Sequence, residues 1–329
     1  MHALLKSATR LSALVALFAA LFAAQAVQAQ DAYPSKPIRI VIGFAAGGGT
    51  DAVLRAIAAR LGQRLGVNVI VENKPGANGN LAGETVAKAP ADGYTLLYNT
   101  SSMVLSPHIY AKLNYDYARE LTPVALTANI PLLLATPPSV PVSTVQELVA
   151  WMKANPGKAN YASAGTGNVT HLATVQFLQS VGAQANHVPY KAEAPALTDL
   201  VGGQVDFYLG TANALIPLVN SKRVRGLAVS SMKRMDAVPD LPTLAETVLP
   251  GVEFGAWSGV MAPAGTPPAI VARLNAELNA ALQEGELRGK IVGTGAEVRG
   301  STVEQYAAFI KSEYERWGQA VKAVGLKPE

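Results

Sequence analysis

Apolar positions along this chain follow two patterns: short continuous runs and longer runs with helical spacing. Residues 38–44 are apolar and β-branched, which is typical of a strand buried on both faces. Residues 53–65 then place their apolar side chains on one helical face. The glycines 47–49 lie between the two. We therefore predict a strand, a glycine turn and a helix, with Thr50 or Asp51 as the N-cap.

The same arrangement occurs again near the middle of the chain. Residues 160–163 are predicted to form a strand, 164–168 a glycine turn, and 169–181 a helix capped by Asn168. Other predicted strands are 67–72, 94–99, 132–135, 185–188, 206–209, 225–230 and 254–261. Other predicted helices are 81–88, 144–155, 195–201, 215–219, 267–282 and 303–324. This alternation of strands and helices predicts an α/β fold with doubly wound, mostly parallel sheets.

Both glycine turns are candidates for anion binding. The first N–H groups of a helix have no acceptor within the helix, and its dipole is positive at this end. If two α/β domains each contribute one such turn to a shared cleft, a carboxylate could be held there without an arginine. The alternative interpretation is that the glycines only allow tight turns.

The first residues have the pattern of a secretory leader. Lys6 and Arg10 precede an apolar run that is too short for a membrane span, and small residues follow it. Cleavage after Ala29 is expected, which makes residues 1–29 a signal peptide and places the mature protein in the periplasm. The chain has no cysteine, which excludes a disulfide framework and a lipid anchor.

Charge and composition exclude several functions. The formal net charge is +4, and no block of Lys or Arg indicates nucleic-acid binding. Neither a zinc-binding histidine pair nor a Walker lysine is present. No cofactor or metal is expected, and the protein is not predicted to be an enzyme. A hydrolase built on Ser163 and His171 is a weak alternative, because the sequence offers no orienting acid.

Several sequence blocks in order carry a family resemblance. These blocks are residues 33–39, 44–51, 71–76, 92–97, 163–171, 188–191, 202–206 and 262–267. With them the chain resembles the Bug family, the extracytoplasmic solute receptors of tripartite tricarboxylate transporters. The resemblance covers essentially the whole mature chain.

The resemblance implies a type II-like Venus-flytrap fold with the ligand between two domains. Domain 1 would comprise residues 30–131 and 253–329, and domain 2 would be the inserted residues 132–252. The implied ligand is a small di-, tri- or aromatic carboxylate, and the implied partners are inner-membrane permease subunits. A monomer is expected. Presentation of the ligand to a sensor kinase instead of a permease is an open alternative.

The chain departs from the pattern of the family in three places. Ala45 and Ala46 stand where the family has a proline after Phe44, Asn168 replaces a Ser or Thr, and Ala192 replaces a glycine. Asn still suits a helix cap. The extra methyl group of Ala192 would lie beside the expected cleft and change which acid fits.

The predicted ligand-binding residues come from the two turns and the strands around them. A structural role is the favoured interpretation for four residues: capping for Asp51 and Asp206, and packing for His171 and Trp257. For Phe44, Tyr190 and Tyr208, core packing and a place in the wall of the cleft are equally good interpretations. The predicted set is Phe44, Ala46, Gly47, Gly48, Thr50, Asp51, Ser163, Gly165, Thr166, Gly167, Asn168, His171, Tyr190 and Asp206.

Overall fold

The structure is a computed structural model that describes residues 33–47, 49–191, 193–323 and 325. All the helices and strands given below lie within the unit Pro37–Glu329. The predicted signal peptide, Gly48 and Ala192 lie outside the described residues. None of the described helices combines the length and the apolar character needed to cross a membrane.

The strands form one mixed sheet. They are β1 Ile38–Ile42, β2 Val69–Asn73, β3 Thr95–Thr100, β4 Leu121–Thr136, β5 Asn160–Ser163, β6 Asn186–Pro189, β7 Phe207–Thr211, β8 Arg225–Val229, β9 Gly255–Pro263 and β10 Glu297–Val298. The order along the sheet is β2-β1-β3-β9-β4-β7-β5-β6, and β8 and β10 also pair with β4.

The helices connect these strands. They are α1 Gly49–Leu65, α2 Asn80–Ala87, α3 Ser101–Ile109, α4 Val145–Ala154, α5 Val169–Val181, α6 Glu193–Val201, α7 Ala212–Asn220, α8 Leu244–Thr247, α9 Pro268–Gln283, α10 Gly285–Val292 and α11 Val303–Ala323. A single 3₁₀ turn, Ala77–Gly79, precedes α2.

The predicted α/β fold is confirmed, with a sheet that mixes the two pairing directions. Strands β1, β2 and β3 are parallel, as are β5, β6 and β7. Between these groups β9 and β4 run antiparallel to their neighbours. Mostly parallel pairing therefore describes the two ends of the sheet, while the centre is antiparallel.

Strand β4 changes partners within its length. Residues up to Pro131 pair with β9, and residues from Leu132 onwards pair with β7 and β8. Because a proline has no N–H to donate, it is suited to such an interruption of the ladder. The change occurs at the position where the sequence predicts the first boundary between domains.

The core occupies both faces of this sheet. Successive side chains of a strand point to opposite faces. Leu132 and Leu134 of β4 accordingly belong to one buried cluster with Trp317 of α11, and Leu133 belongs to another with Tyr208. The closing helix buries its aromatic residues as predicted, except for Tyr314, which is exposed and whose ring centroid lies 4.2 Å from that of His108 in a tilted arrangement.

Candidate ligand-binding site

A cavity of about 130 Å³ lies where strands lead into helices. Its lining comes from the junctions β1–α1, β3–α3, β5–α5, β6–α6 and β7–α7, and from strand β9. In parallel sheets, the carboxyl ends of strands are where ligands bind. The lining residues are Phe44, Thr50, Thr100, Ser101, Ser102, Ala164, Asn168, Val169, Thr170, Glu193, Thr211, Ala256 and Trp257.

The first glycine turn is tied, through Gly47, to the helix that follows it. The Gly47 N–H donates to Oδ2 of Asp51 at 2.9 Å, and Nε of Arg55 donates to the same oxygen at 2.9 Å. Nδ2 of Asn73 donates to Oδ1 of Asp51 at 2.8 Å. Burial alone would raise the pKa of Asp51, but these hydrogen bonds outweigh it and lower the pKa below its ordinary value. The carboxylate is therefore a charged anchor of the turn.

The second glycine turn, residues 164–168, has the same arrangement with a different acceptor. The Gly167 N–H donates to Nδ1 of His171 at 3.1 Å. Asn168 caps helix α5, since its Oδ1 accepts from the Thr170 N–H at 3.0 Å. The Ala164 N–H donates to Oγ1 of Thr170 at 2.9 Å. The N–H groups of Gly47 and Gly167 therefore already have acceptors within the protein.

His171 is held in its neutral form by a stack of rings. Its ring lies 3.9 Å from that of His187, and Tyr161 stacks on both. Burial, followed by the charge of a protonated His187, lowers the pKa of His171 to about 4. Because Nδ1 carries no proton, it can accept the Gly167 N–H.

Ser163 pairs with His187 rather than with His171. Its Oγ lies 2.6 Å from Nε2 of His187 and also accepts the Gly165 N–H at 3.2 Å. Ser163 is fully buried. Ser163 therefore holds the second glycine turn through Gly165, and it pairs with His187 in place of the Ser163–His171 pair considered from the sequence.

The junction between β3 and α3 offers donors to the cavity. Thr100 precedes α3 at its N-cap but makes no side-chain capping bond. Its Oγ1 is buried and has no hydrogen-bond partner among the described residues. Since the N–H groups at the start of α3 also lack acceptors within the helix, this end is suited to an anion.

Glu193 brings a carboxyl group to the lining of the cavity. Its Oε1 accepts from the N–H and Oγ1 of Thr211, at 3.0 and 2.9 Å, and from Oη of Tyr208 at 3.2 Å. Burial raises the pKa of Glu193 above its ordinary value, although these hydrogen bonds act in the other direction.

Apolar side chains complete the lining. Trp257, which is predicted from the sequence to be core, is 2% exposed and contacts both the core and the cavity. Its Nε1 donates to Oε2 of Glu313 at 2.7 Å, which fixes the orientation of the ring. Phe44, Val169 and Ala256 provide further apolar surface. Polar groups at helix ends and apolar walls are the usual composition of a site for a small organic ligand.

The predicted site residues fall into distinct places. Phe44, Thr50 and Asn168 line the cavity. The side chains of Asp51 and His171 hold the turns, while Ala46 and Thr166 are exposed in the turns. Gly48 lies outside the described residues.

Two predicted residues lie elsewhere. Oη of Tyr190 donates to Asp199 at 2.7 Å, and Asp206 accepts from the Asn160 N–H at 2.8 Å. Asp206 precedes β7, whose other end reaches the cavity at Thr211. The strand rises about 3.3 Å per residue, so the two ends are far apart.

Sequence reasoning missed ten lining residues, which lie at the ends of β3 and β7, at the starts of α3, α5 and α6, in the second glycine turn and in β9. They are Thr100, Ser101, Ser102, Ala164, Val169, Thr170, Glu193, Thr211, Ala256 and Trp257. For the junctions β3–α3 and β7–α7 a signal was available, because each buried strand ends in a small hydroxyl residue, Thr100 or Thr211. Nothing in the sequence pattern distinguishes Glu193.

Comparison with known proteins identifies the family. The model of the tripartite tricarboxylate transporter family receptor matches residues 53–326. The chain belongs to this family. Its relatives include the protein BugT of Bordetella pertussis, which is 36% identical over 321 residues and is matched over 97% of this chain and 98% of its own.

Solved structures of family members have the same fold. Rpa4515 of R. palustris, described with adipate, is 35% identical with a TM-score of 0.79, covering 90% of this chain and all of that one. The periplasmic binding protein BugD is 33% identical with a TM-score of 0.75 over 90% of this chain and all of its own. MatC from Rhodopseudomonas palustris, with bound malate, is 33% identical with a TM-score of 0.74 over 88% of this chain and all of its own.

These comparisons decide between the functions considered from the sequence. The family receptor is a solute-binding protein, so the expectation that this chain is not an enzyme is confirmed. The resemblance to the Bug family is confirmed as well. The hydrolase alternative is wrong, in keeping with the complete burial of the Ser163 side chain.

Proposed function

We propose that this receptor binds a small carboxylic acid in the cavity, in the periplasm, and delivers it to membrane permease subunits. The observation that carries the proposal is the meeting of several helix N-termini around a cavity whose lining includes no Lys, Arg or His. Free N–H groups and positive helix ends favour an anion. The adipate and malate described with two relatives are acids of this kind.

We further propose that residues 132–252 move as one domain against the rest. The exchange of partners within β4 at Pro131, and the start of β9 at Gly255, support hinges near these positions. Junctions from both parts line the cavity. Closure would therefore be favoured by a ligand, because more donors contact the anion in the closed form than in an open one.

A thermal-shift screen of the mature protein tests the proposed function. The panel contains small mono-, di- and tricarboxylates, amino acids and sugars. A ligand present at 100 times its Kd stabilises a protein by about 2.7 kcal/mol, which is a readily measured shift. We expect shifts from a subset of the acids only. Stabilisation by sugars alone, or by nothing in the panel, would contradict the proposal.

Replacement of Thr100 by Val tests the site itself. The hydroxyl of Thr100 is buried without a partner and is expected to donate to the ligand. A hydrogen bond to a charged group contributes about 1.5–3 kcal/mol, so Thr100→Val should weaken acid binding at least about tenfold. The matched control is Thr136→Val, whose hydroxyl is equally buried and unpartnered but lies outside the lining. Equal affinities of the two variants would exclude Thr100 from the site.

Export can be tested by the mass of the protein recovered from the periplasm. Cleavage after Ala29 gives a mature chain that begins at Gln30. A recovered protein that keeps residues 1–29 would show that the leader is not removed.

A further inference from the structure

One side chain stands out in the cavity because of its charge. Glu193 is the one ionisable residue in the described lining, and the other members are hydroxyl, amide and apolar side chains. A carboxyl group is unexpected in a site proposed for a carboxylate, because two like charges at close range repel each other. The function of Glu193 in this cavity therefore needs an explanation.

The contacts of Glu193 leave part of its acceptor capacity unused. Oε1 accepts from Thr211 N–H, Thr211 Oγ1 and Tyr208 Oη, while Oε2 is contacted by Thr211 Oγ1 at 2.8 Å. A carboxylate has two oxygens and about four sites for donors. Oε1 is fully used by neighbouring groups, whereas Oε2 can still accept a hydrogen bond.

Among the described residues, no cation pairs with this group. Within the described part of the chain, no salt bridge involves Glu193, and the cavity lining has no basic residue. Burial of a carboxylate without a cation is unfavourable, and hydrogen bonds from the ligand can reduce this cost. A ligand that brings its own donor would supply what the lining lacks.

We propose that Glu193 determines specificity by selecting carboxylic acids that carry a hydroxyl or ammonium group. The inference rests on the proposed function, since it assumes that an acid occupies this cavity. The carboxylate of the ligand lies against the α3 side, near Thr100, and the donor group of the ligand faces Oε2 of Glu193. An acid of the same length without a donor leaves Glu193 unsatisfied and adds a repulsion.

The first experiment uses the wild-type protein and matched ligands. Isothermal titration calorimetry compares lactate with propionate, and malate with succinate, with alanine as the ammonium counterpart of lactate. We expect the acid with a donor to bind at least about tenfold more tightly within each pair. The lactate and alanine arms distinguish a neutral donor from a cationic one.

The second experiment changes the acceptor. In Glu193→Gln the amide oxygen can still accept from Thr211, while the amide N–H₂ presents a donor to the cavity. The preference within each pair should therefore be lost or reversed in favour of the plain acid. The control is Asp199→Asn, because Asp199 accepts from Tyr190 outside the cavity. This variant should keep the preference of the wild type.

The outcomes separate this inference from the proposed function. If no acid binds, the proposed function is wrong. If acids bind but the two members of each wild-type pair have equal affinity, the role of Glu193 is wrong and the receptor function stands. Calorimetry in two buffers of different ionisation enthalpy adds a further check: proton uptake with succinate or propionate at full affinity would mean that Glu193 becomes protonated, which also overturns the proposal.

Discussion

The two glycine turns are anchored by the same kind of hydrogen bond but with different acceptors. In each, a glycine with positive φ, Gly47 at 88° or Gly167 at 74°, donates its N–H to a side chain four residues later. In the first turn this acceptor is a carboxylate held by Arg55 and Asn73. In the second it is a neutral imidazole held by stacked rings.

The difference lies in what keeps the acceptor in its accepting state. Asp51 stays charged because donors surround it, whereas His171 stays neutral because burial excludes its proton. The two turns should therefore respond differently to loss of partners, to acid and to added side-chain volume. The following predictions separate the two turns in these respects.

The largest expected effect comes from Asp51→Ala. The replacement leaves the Gly47 N–H, Arg55 and Asn73 without their shared acceptor, and Asp51 is 2% exposed. We expect a loss of about 3 kcal/mol in the free energy of unfolding, measured by urea denaturation. Asp116→Ala is the control, because Asp116 also accepts two backbone N–H groups but is exposed. A loss as small as that of the control would mean that the carboxylate does not anchor the turn.

Acid should affect the second turn first. The pKa of His171 is about 4 in the folded protein and about 6.5 when unfolded, so the unfolded chain binds more protons between these values. The contribution of His171 to the free energy of unfolding is therefore present above about pH 6.5 and decreases as the pH is lowered. From pH 7 to pH 5 we expect a loss of about 2 kcal/mol from this group.

His171→Gln tests this pH dependence, because an amide oxygen can accept the Gly167 N–H without titrating. The variant should show a flatter decline, leaving the part due to His187 and His108, whose pKa values burial also lowers. Asp51 contributes nothing in this range, since its pKa is lowered from 3.8 and its contribution is lost only at more acidic pH. Equal slopes for wild type and His171→Gln, measured by urea denaturation at each pH, would contradict the assignment.

The smallest effects are expected from alanine at the two glycines. Positive φ costs a side chain about 1 kcal/mol in either turn. A Cβ on Gly47 would meet nothing within 4 Å, whereas one on Gly167 would lie 3.2 Å from Cδ1 of Ile109. We therefore expect thermal unfolding to show losses of about 1 kcal/mol for Gly47→Ala and about 2 kcal/mol for Gly167→Ala.

Gly285→Ala is the matched control for the glycine pair. Gly285 begins helix α10, and a Cβ there has open space around it. Alanine should be neutral or slightly stabilising at this position. A cost for Gly47→Ala that equals the cost for Gly167→Ala would mean that Ile109 moves aside freely.

Much of the fold follows from local patterns. Strand β5 and helices α1 and α5 have the predicted bounds to within a residue or two, because apolar periodicity and flanking glycines coincide there. The predicted N-cap of α1 is wrong, since Thr50 and Asp51 lie within a helix that begins at Gly49. Helix α3 was missed, since Ser101, Ser102 and Pro107 do not have the composition of a helix. The first part of β4 was also missed, because it includes Pro123 and Pro131, and its pairing with β9 is a long-range contact.

The site was less predictable than the fold. The turns were found because glycine signals a backbone requirement that can be read locally. Thr100 and Glu193 reach the cavity only because α3 and α6 lie beside it in the folded chain. Asp51 and His171 accept hydrogen bonds from the N–H groups of the glycine turns. Residue spacing did not predict this, because it depends on the directions of the two side chains.

The long strand β4 also bears on the order in which the molecule folds. The first part of β4 pairs with β9, which lies far along the chain: Leu126 pairs with Gly259. Strands β5, β6 and β7, in contrast, lie close together in the chain. Closing so long a loop costs chain entropy before any contact repays it, and such topologies fold slowly. We expect the amides of β5, β6 and β7 to become protected early in refolding, and those of the β4–β9 pairing to become protected later.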